Sequence, residues 1–253
     1  MNFTGMLALT EKETTRFIRI WTQTIIPPLL TSVLFILIFG VSLGSQIKEM
    51  GGVGYIQFIL PGLLMMGVIL SAYSNTSTSL FISKFQGSVQ ELLLAPLSYW
   101  EIIVAYTIAG VLRGILVGVG VLLVGILFAQ VTVFSYGYLL YFIIMISLLF
   151  CFAGIATGLW ATNFDKMMVF ATFLITPLTW LGGVFYSIHT LPPLWQHLAR
   201  LNPILYMVDG FRYSFLGRSD VWVGYSAVMV LVLTVGFFWL CVWMFKKGYK
   251  LRS

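Results

Sequence analysis

The sequence predicts an all-α integral membrane protein with six transmembrane helices, on three observations. Of the 253 residues, 60% are hydrophobic and 9% charged, against roughly 25% charged in soluble domains. Six stretches reach the roughly 20 apolar residues that a helix needs to cross about 30 Å of hydrocarbon. Lys and Arg gather at the two chain ends and in alternate connections. The net charge of +6 would suggest nucleic acid for a soluble domain. Here it follows from asymmetry across a bilayer, with lipid and not nucleic acid as the surrounding partner.

The N-terminal segment contains LTEKETTRFIRIWTQT, Leu9 to Thr24. Phe17, Ile20, Trp21 and Thr24 fall on one helical face with Arg16 and Arg19 turned away, which predicts an amphipathic helix on the membrane surface over residues 1–23. No uninterrupted apolar run or small-residue cleavage site precedes it, so no leader is expected to be removed. The spans follow near Thr24–Leu43, Phe58–Phe81, Ile102–Phe128, Val133–Trp160, Met167–Tyr186 and Gly224–Phe245, and a basic tail occupies 246–253. The whole reads as one membrane domain over 1–253, its six-helix part at 24–245.

Even parity puts both termini on one side. Lys12, Arg16, Arg19, Lys84, Lys166, Lys246, Lys247, Lys250 and Arg252 share that side, against Lys48, Arg200, Arg212 and Arg218 on the other. The positive-inside rule places both termini in the cytoplasm of a multi-pass protein, with His189–Val223 outside. Trp21, Tyr55, Trp100, Trp160, Tyr186, Trp222 and Tyr249 sit near span ends, as interfacial aromatics do.

Between the second and third spans lies FQGSVQELLLAPLSYWE, Phe85 to Glu101. Ser88 with Glu91, and Ser98 with Glu101, have capping-box spacing, in which hydroxyl and carboxylate each satisfy an orphan backbone donor. The first box opens a short cytoplasmic helix of about 10 Å that Pro96 ends, and the second opens the third span. Leu92, Leu93, Leu94 and Leu97 either pack this helix against the protein's own underside or, flanked by Lys84 and Glu91, present a docking face for a partner.

Inside the spans, SAYSNTSTS (Ser71 to Ser79) is dense in hydroxyls. Such groups serve as interhelical glue or as a hydrated wall facing cargo. Ser71, Asn75 and Ser79 are the candidates, Asn75 the first to test. Arg113 lies deep in the third span with no span acid to pair with, so it faces protein, water or an anionic ligand. Gly110, Gly114 and Gly118 in the third span and Gly154 with Gly158 in the fourth predict that these two helices pack together. Pro177 and Gly182-Gly183 kink or shorten the fifth. Cys151 and Cys241 read as small buried hydrophobes. Beyond the fifth span, Pro192-Pro193 and Asn202-Pro203 each open a short helix dipping into the outer leaflet. Asp209 and Arg212, three apart, form a local ion pair there. His189 and His197, the two histidines of the chain, give no metal spacing.

Two stretches carry a family resemblance: Glu-Leu-Leu-Leu-x-Pro at Glu91 to Pro96 with the Ser98 and Glu101 start, and LNPILYMVDGFRYSFLG at Leu201 to Gly217 with Asn202, Pro203 and Arg212. With the six-span count and the amphipathic N-terminus, the chain resembles type-2 ABC exporter permeases over essentially its whole length. The resemblance implies a homodimeric path in a bacterial inner membrane, with two copies of a cytoplasmic ABC ATPase. Each ATPase would dock on the coupling helix made by Ser88, Val89, Gln90, Glu91, Leu92, Leu93, Leu94, Ala95 and Pro96. It also implies external gate helices carrying Asn202, Pro203, Asp209 and Arg212. No G-x-x-x-x-G-K-[ST] loop and no Gly-Lys pair occurs in the chain, so ATP and Mg are expected on the partner and no cofactor here. A passive pore would want a ring of acids or carbonyls, and an intramembrane enzyme a converging nucleophile and base. Short external loops favour a small or lipid-like cargo.

Overall fold

A computed structural model describes residues 2–44, 47 and 49–250. Lys48 and Arg252, which enter the charge count above, lie outside the described residues, as do the neighbours of Arg252 at 251 and 253. Helix α1 (Phe3–Arg19) breaks at Ile20, where φ is −110° and ψ 36°. One turn of α2 (Trp21–Thr24) leads into α3 (Ile26–Phe35), which continues as a π-helical segment over Ile36–Leu43. A two-residue hairpin, β1 (Glu49–Met50) against β2 (Val53–Gly54), turns the chain into α4 (Tyr55–Phe85). Then come α5 (Ser88–Leu94), α6 (Tyr99–Ile126), α7 (Tyr136–Trp160), α8 (Phe164–Val169), a π-helical Phe170–Ile175 and α9 (Thr176–Trp180). After a short 3-10 turn at Ile188–Thr190, α10 (Pro193–Arg200), α11 (Pro203–Leu216) and α12 (Val223–Lys246) complete the fold.

Among the described residues, five helices are long and apolar enough to cross a membrane: Trp21–Gly40, Tyr55–Phe85, Tyr99–Ile126, Tyr136–Trp160 and Val223–Lys246. The stretch expected as a fifth crossing, Met167–Tyr186, is shorter than its hydropathy suggests. Its helical run is α8, the π segment and α9, of 6, 6 and 5 residues, about 26 Å at 1.5 Å per residue. Leu181 already turns, and Gly183, with φ of +74°, adopts a backbone that side-chain-bearing residues rarely tolerate. The double glycine therefore ends the helix six residues early.

Helix α4 is the axle of the bundle, with 83% of its most apolar window buried, against 61% for α7, 44% for α6, 33% for α12 and 22% for the first span. Its central position explains the glycine spacing, and α6 also packs on α7 as expected: a Cβ on Gly110 would lie 2.4 Å from Cys151 Sγ and one on Gly114 3.2 Å from Ser147 Oγ. The Gly154 and Gly158 face of α7 meets α4: a Cβ on Gly154 would lie 2.2 Å from Thr76 Oγ1 and 2.5 Å from the Tyr73 carbonyl oxygen. On α6, Gly114 and Gly118 adjoin both α4, at Ala72 and Val68, and α7, at Ser147 and Ile143. The small residues let α6 and α7 close on α4 as well as on each other; what differs from the expectation is that Gly154 and Gly158 face α4 and not α6. Thr76 Oγ1 seals the α4–α7 contact by donating to the Cys151 carbonyl at 3.0 Å. Cys151 and Cys241 are both fully buried and reduced.

Candidate functional site

At one end of the bundle, α4, α5 and α6 make an elbow. The chain leaves α4 through Gly87, whose φ of +77° sets the reversal, so Gly87 and not Ser88 is the N-cap of α5. Ser88 Oγ instead donates to the Ser83 carbonyl at 3.2 Å, and the expected box with Glu91 does not form because the glycine has already made the turn. At the other end, Ala95 is extended with ψ of 148°, as a residue before proline prefers. Here the second box closes. The Ser98 N–H donates to Glu101 Oε2 at 2.7 Å, and the Glu101 N–H to Ser98 Oγ at 3.4 Å. The other Glu101 oxygen accepts the N–H of Asn2, and Asn2 Nδ2 donates to the Pro96 carbonyl at 3.4 Å. The elbow is thereby tied to the start of α1.

The two faces of α5 differ. Val89 is 2% exposed and packs, with partly buried Leu92 and Leu97, into a cluster containing Leu9, Ile102 and Tyr106. Gln90, Glu91, Leu93 and Pro96 are exposed, and Leu94 is 86% exposed. Of the four leucines, two pack the elbow and two face outward. Lys84 does not flank this face. Its ammonium donates to the carbonyls of Gly158 (3.1 Å), Leu159 (2.6 Å) and Ala161 (2.6 Å), capping the C-terminus of α7 where four carbonyls lack helical partners.

Along α4 the polar residues divide by face. Asn75 and Ser79 are buried and met by α1: Arg16 Nη2 donates to Asn75 Oδ1 at 3.0 Å and to the Asn75 carbonyl at 3.1 Å, while Ser79 Oγ donates to Glu13. Arg16 Nε also reaches Glu13 Oε2 at 3.1 Å. The inward face of α1 is therefore Leu9, Glu13 and Phe17, one residue every helical turn. Arg16 is not turned away, while Ile20 and Trp21, of the face expected to lie on the leaflet, are exposed on the surface of the protein. Arg113 is buried and donates through Nη2 to the Thr24 carbonyl at 3.1 Å. Arg113 Nε, Asn75 Nδ2 and Ser71 Oγ have no hydrogen-bond partner among the described residues. The half-buried stripe of α4 is Leu70, Ser74, Thr78 and Ile82. Its two hydroxyls, offset by one residue from Asn75 and Ser79, lie on the face that the single chain leaves open.

At the opposite end α11 is well buried. Asn202 caps it by accepting the Ile204 N–H at 2.9 Å, and its Nδ2 donates to the Leu178 carbonyl at 2.6 Å; Pro203 occupies the first helical position. Arg212 and Asp209 pair at 3.8 Å, and both reach further. Arg212 sits 3.8 Å over the Phe58 ring and donates to the Phe58 carbonyl at 3.3 Å and to that of Gly183. Asp209 accepts the N–H groups of Asp220 and Val221, each at 2.9 Å. Burial pushes the Asp209 carboxyl up, against these amides and Arg212, which pull it down. The segment is a clamp joining α4, the Gly183 turn and the start of α12. The sequence pattern showed the local pair but not these distant carbonyls.

Comparison with known proteins places this architecture. Residues 4–216 match the family described as ABC-2 type transporter. The chain is similar to the inner membrane transport permease YadH of Escherichia coli strain K12, 43% identical over 249 residues, covering 98% of this chain and 97% of that one. It is more distantly similar to nodulation protein J of Rhizobium leguminosarum bv. viciae, 24% identical over 188 residues (74% of this chain, 72% of that one). The same protein of Sinorhizobium fredii is 24% identical over 213 residues, with 82% and 80% covered.

Proposed function

The chain belongs to the ABC-2 type transporter family and is a permease subunit of a multi-pass membrane transporter, and from that premise we propose that two copies form an export path driven by a separate cytoplasmic ATPase docking on Ser88–Leu94. The proposed topology puts both termini, α1 and α5 in the cytoplasm, with the Phe164–Trp180 helical run as the fifth of six crossings. A run of this length crosses where the bilayer thins locally by a few Å. ATP and Mg belong to the partner.

The observation that carries the reading is the split of α5. Val89 and Leu92 fix it to the elbow while Glu91, Leu93 and Leu94 stand in solvent. A helix that only packed the underside would bury its leucines together. An exposed pair of leucines beside an acid is the kind of anchor set that a groove on a partner accepts.

Displacement of α5 has three routes into the bundle. Glu101 makes α5 and α6 move together through Ser98. Asn2 carries the motion to α1, and α1 passes it to α4 through Arg16–Asn75 and Glu13–Ser79. Lys84 ties the base of α4 to the end of α7. The proposed cargo path runs along the open face of α4. Ser74 and Thr78 line it in the described arrangement, and Ser71, Asn75, Ser79 and Arg113 join it when α1 withdraws. Asn202, Pro203, Asp209 and Arg212 hold the external gate.

Co-expression with an affinity-tagged cognate ATPase tests this. The complex should be recovered with the native chain and lost with Leu94→Asp, at unchanged insertion. Equal recovery with both would remove the basis for the docking assignment.

A further inference from the structure

A cavity of about 470 Å³ opens between α7, the Phe164–Trp180 helical run, α11 and α12, well within the roughly 300–1,000 Å³ of sites that hold small molecules. No charged residue lines it, and its walls are side chains such as Phe150, Leu174, Met207 and Leu240. At the end of the bundle that carries α5, its rim changes character. Trp160, Trp243 and Tyr249 form the edge, and exposed lysines stand over them. Lys247 Nζ lies 4.6 Å above the Trp243 ring. Lys250 Nζ lies 5.4 Å from the Trp160 ring centre and donates to the Trp160 carbonyl at 3.0 Å.

We propose that this cavity is a binding site for one anionic phospholipid, an acyl chain lying among α7, α12 and the Phe164–Trp180 run and the phosphate meeting Lys247 and Lys250. The apolar depth by itself names no occupant; the vertical order of the groups does. An apolar slot, an aromatic ring belt and then fixed cations repeat the order of acyl chain, interface and phosphate in one leaflet. Basic pockets between membrane helices are where anionic head groups bind. The role goes beyond conveying cargo. The lipid would bridge α12 to the broken Phe164–Trp180 run, and so wedge two elements that the protein's own side chains leave apart.

The test is photo-crosslinking of the full-length protein in nanodiscs with a phosphatidylglycerol probe carrying a diazirine near the acyl terminus, with adducts mapped by mass spectrometry. Adducts are expected on Leu174, Leu240 and Phe150. Excess unlabelled phosphatidylglycerol should suppress them at least fivefold, and phosphatidylcholine should not. The Lys247→Gln/Lys250→Gln double variant should lose that head-group preference, and Ala153→Phe, which fills the slot, should lose the adducts. Three results would overturn the proposal: labelling spread evenly over all lipid-facing helices, equal competition by the two lipids, or chain-to-chain crosslinks at these positions showing a second copy seated there. The competition on the unaltered chain decides the matter even if a variant fails to fold. Because labelling is read without transport or ATPase, its failure leaves the docking assignment untouched.

Discussion

Arg16 on the N-terminal helix donates through one guanidinium nitrogen to both the side-chain oxygen and the backbone carbonyl of Asn75, 59 positions away in the central helix of the bundle. That bond makes α1 part of the membrane domain. The same guanidinium pairs with Glu13, which is buried against Ser79.

Removing one partner of this junction should therefore cost more than removing both charges. Arg16→Ala leaves a buried carboxylate without its cation, and a loss of about 2–4 kcal/mol is expected, below the top of the range for fully buried pairs because Arg16 is partly solvated. Glu13→Gln/Arg16→Gln should lose less than Arg16→Ala alone. Reversible unfolding of the purified protein in mixed micelles, run as a double-mutant cycle, checks the order.

The two faces of α5 should separate by phenotype. Val89→Ala removes buried apolar volume and is expected to lower stability by about 1–3 kcal/mol. Glu91→Ala and Leu94→Asp should leave stability within about 0.5 kcal/mol while abolishing partner-stimulated ATP hydrolysis. Parallel measurements of melting temperature and coupled ATPase rate give both axes.

Glu101 holds two backbone N–H groups, one from its own helix cap and one from Asn2. Glu101→Gln turns one acceptor into a donor facing a donor, and loss of a cap costs about 1 kcal/mol. Faster amide hydrogen exchange is expected both at 98–102 and at the first turn of α1. Acceleration confined to 98–102 would show that α1 is not tethered there.

Close helix approach predicts unequal tolerance at two span glycines. At Gly154 a methyl group would meet Thr76 Oγ1 at 2.2 Å, whereas at Gly236 nothing lies within 4 Å. Gly154→Ala should sharply reduce the yield of folded protein by overpacking, and Gly236→Ala should not. Quantified monodisperse yield after detergent extraction distinguishes them.

How much was legible in the sequence follows from what kind of signal each feature leaves. The long spans were, because twenty apolar residues advertise themselves without reference to neighbours. The α5 elbow was located by Pro96 and by the Ser98 and Glu101 box, both local devices. The N-cap was misassigned because Gly87 makes the turn through a positive φ that a neighbouring serine masks. The helix within Met167–Tyr186 looked longer than it is because hydropathy runs through Gly182-Gly183 although the helix does not. Glu13 escaped notice because an acid in a polar amphipathic segment reads as solvated, although its spacing from Leu9 and Phe17 marks the inward face. Which polar side chains of α4 remain open, Ser74 and Thr78 or Ser71, Asn75 and Ser79, depends on where α1 packs. That is a tertiary fact with no local trace.

The central claim is that an ATP-driven partner acts on this chain from the cytoplasm through α5. The most direct measurement is labelling of Leu94→Cys by a membrane-impermeant maleimide in right-side-out and inverted vesicles, with and without the ATPase. Cys151 and Cys241 are fully buried and give little background. Labelling only in inverted vesicles, with protection when the ATPase is bound, is the expected result. Labelling from the outer side, or equal labelling with the ATPase bound and absent, would contradict it.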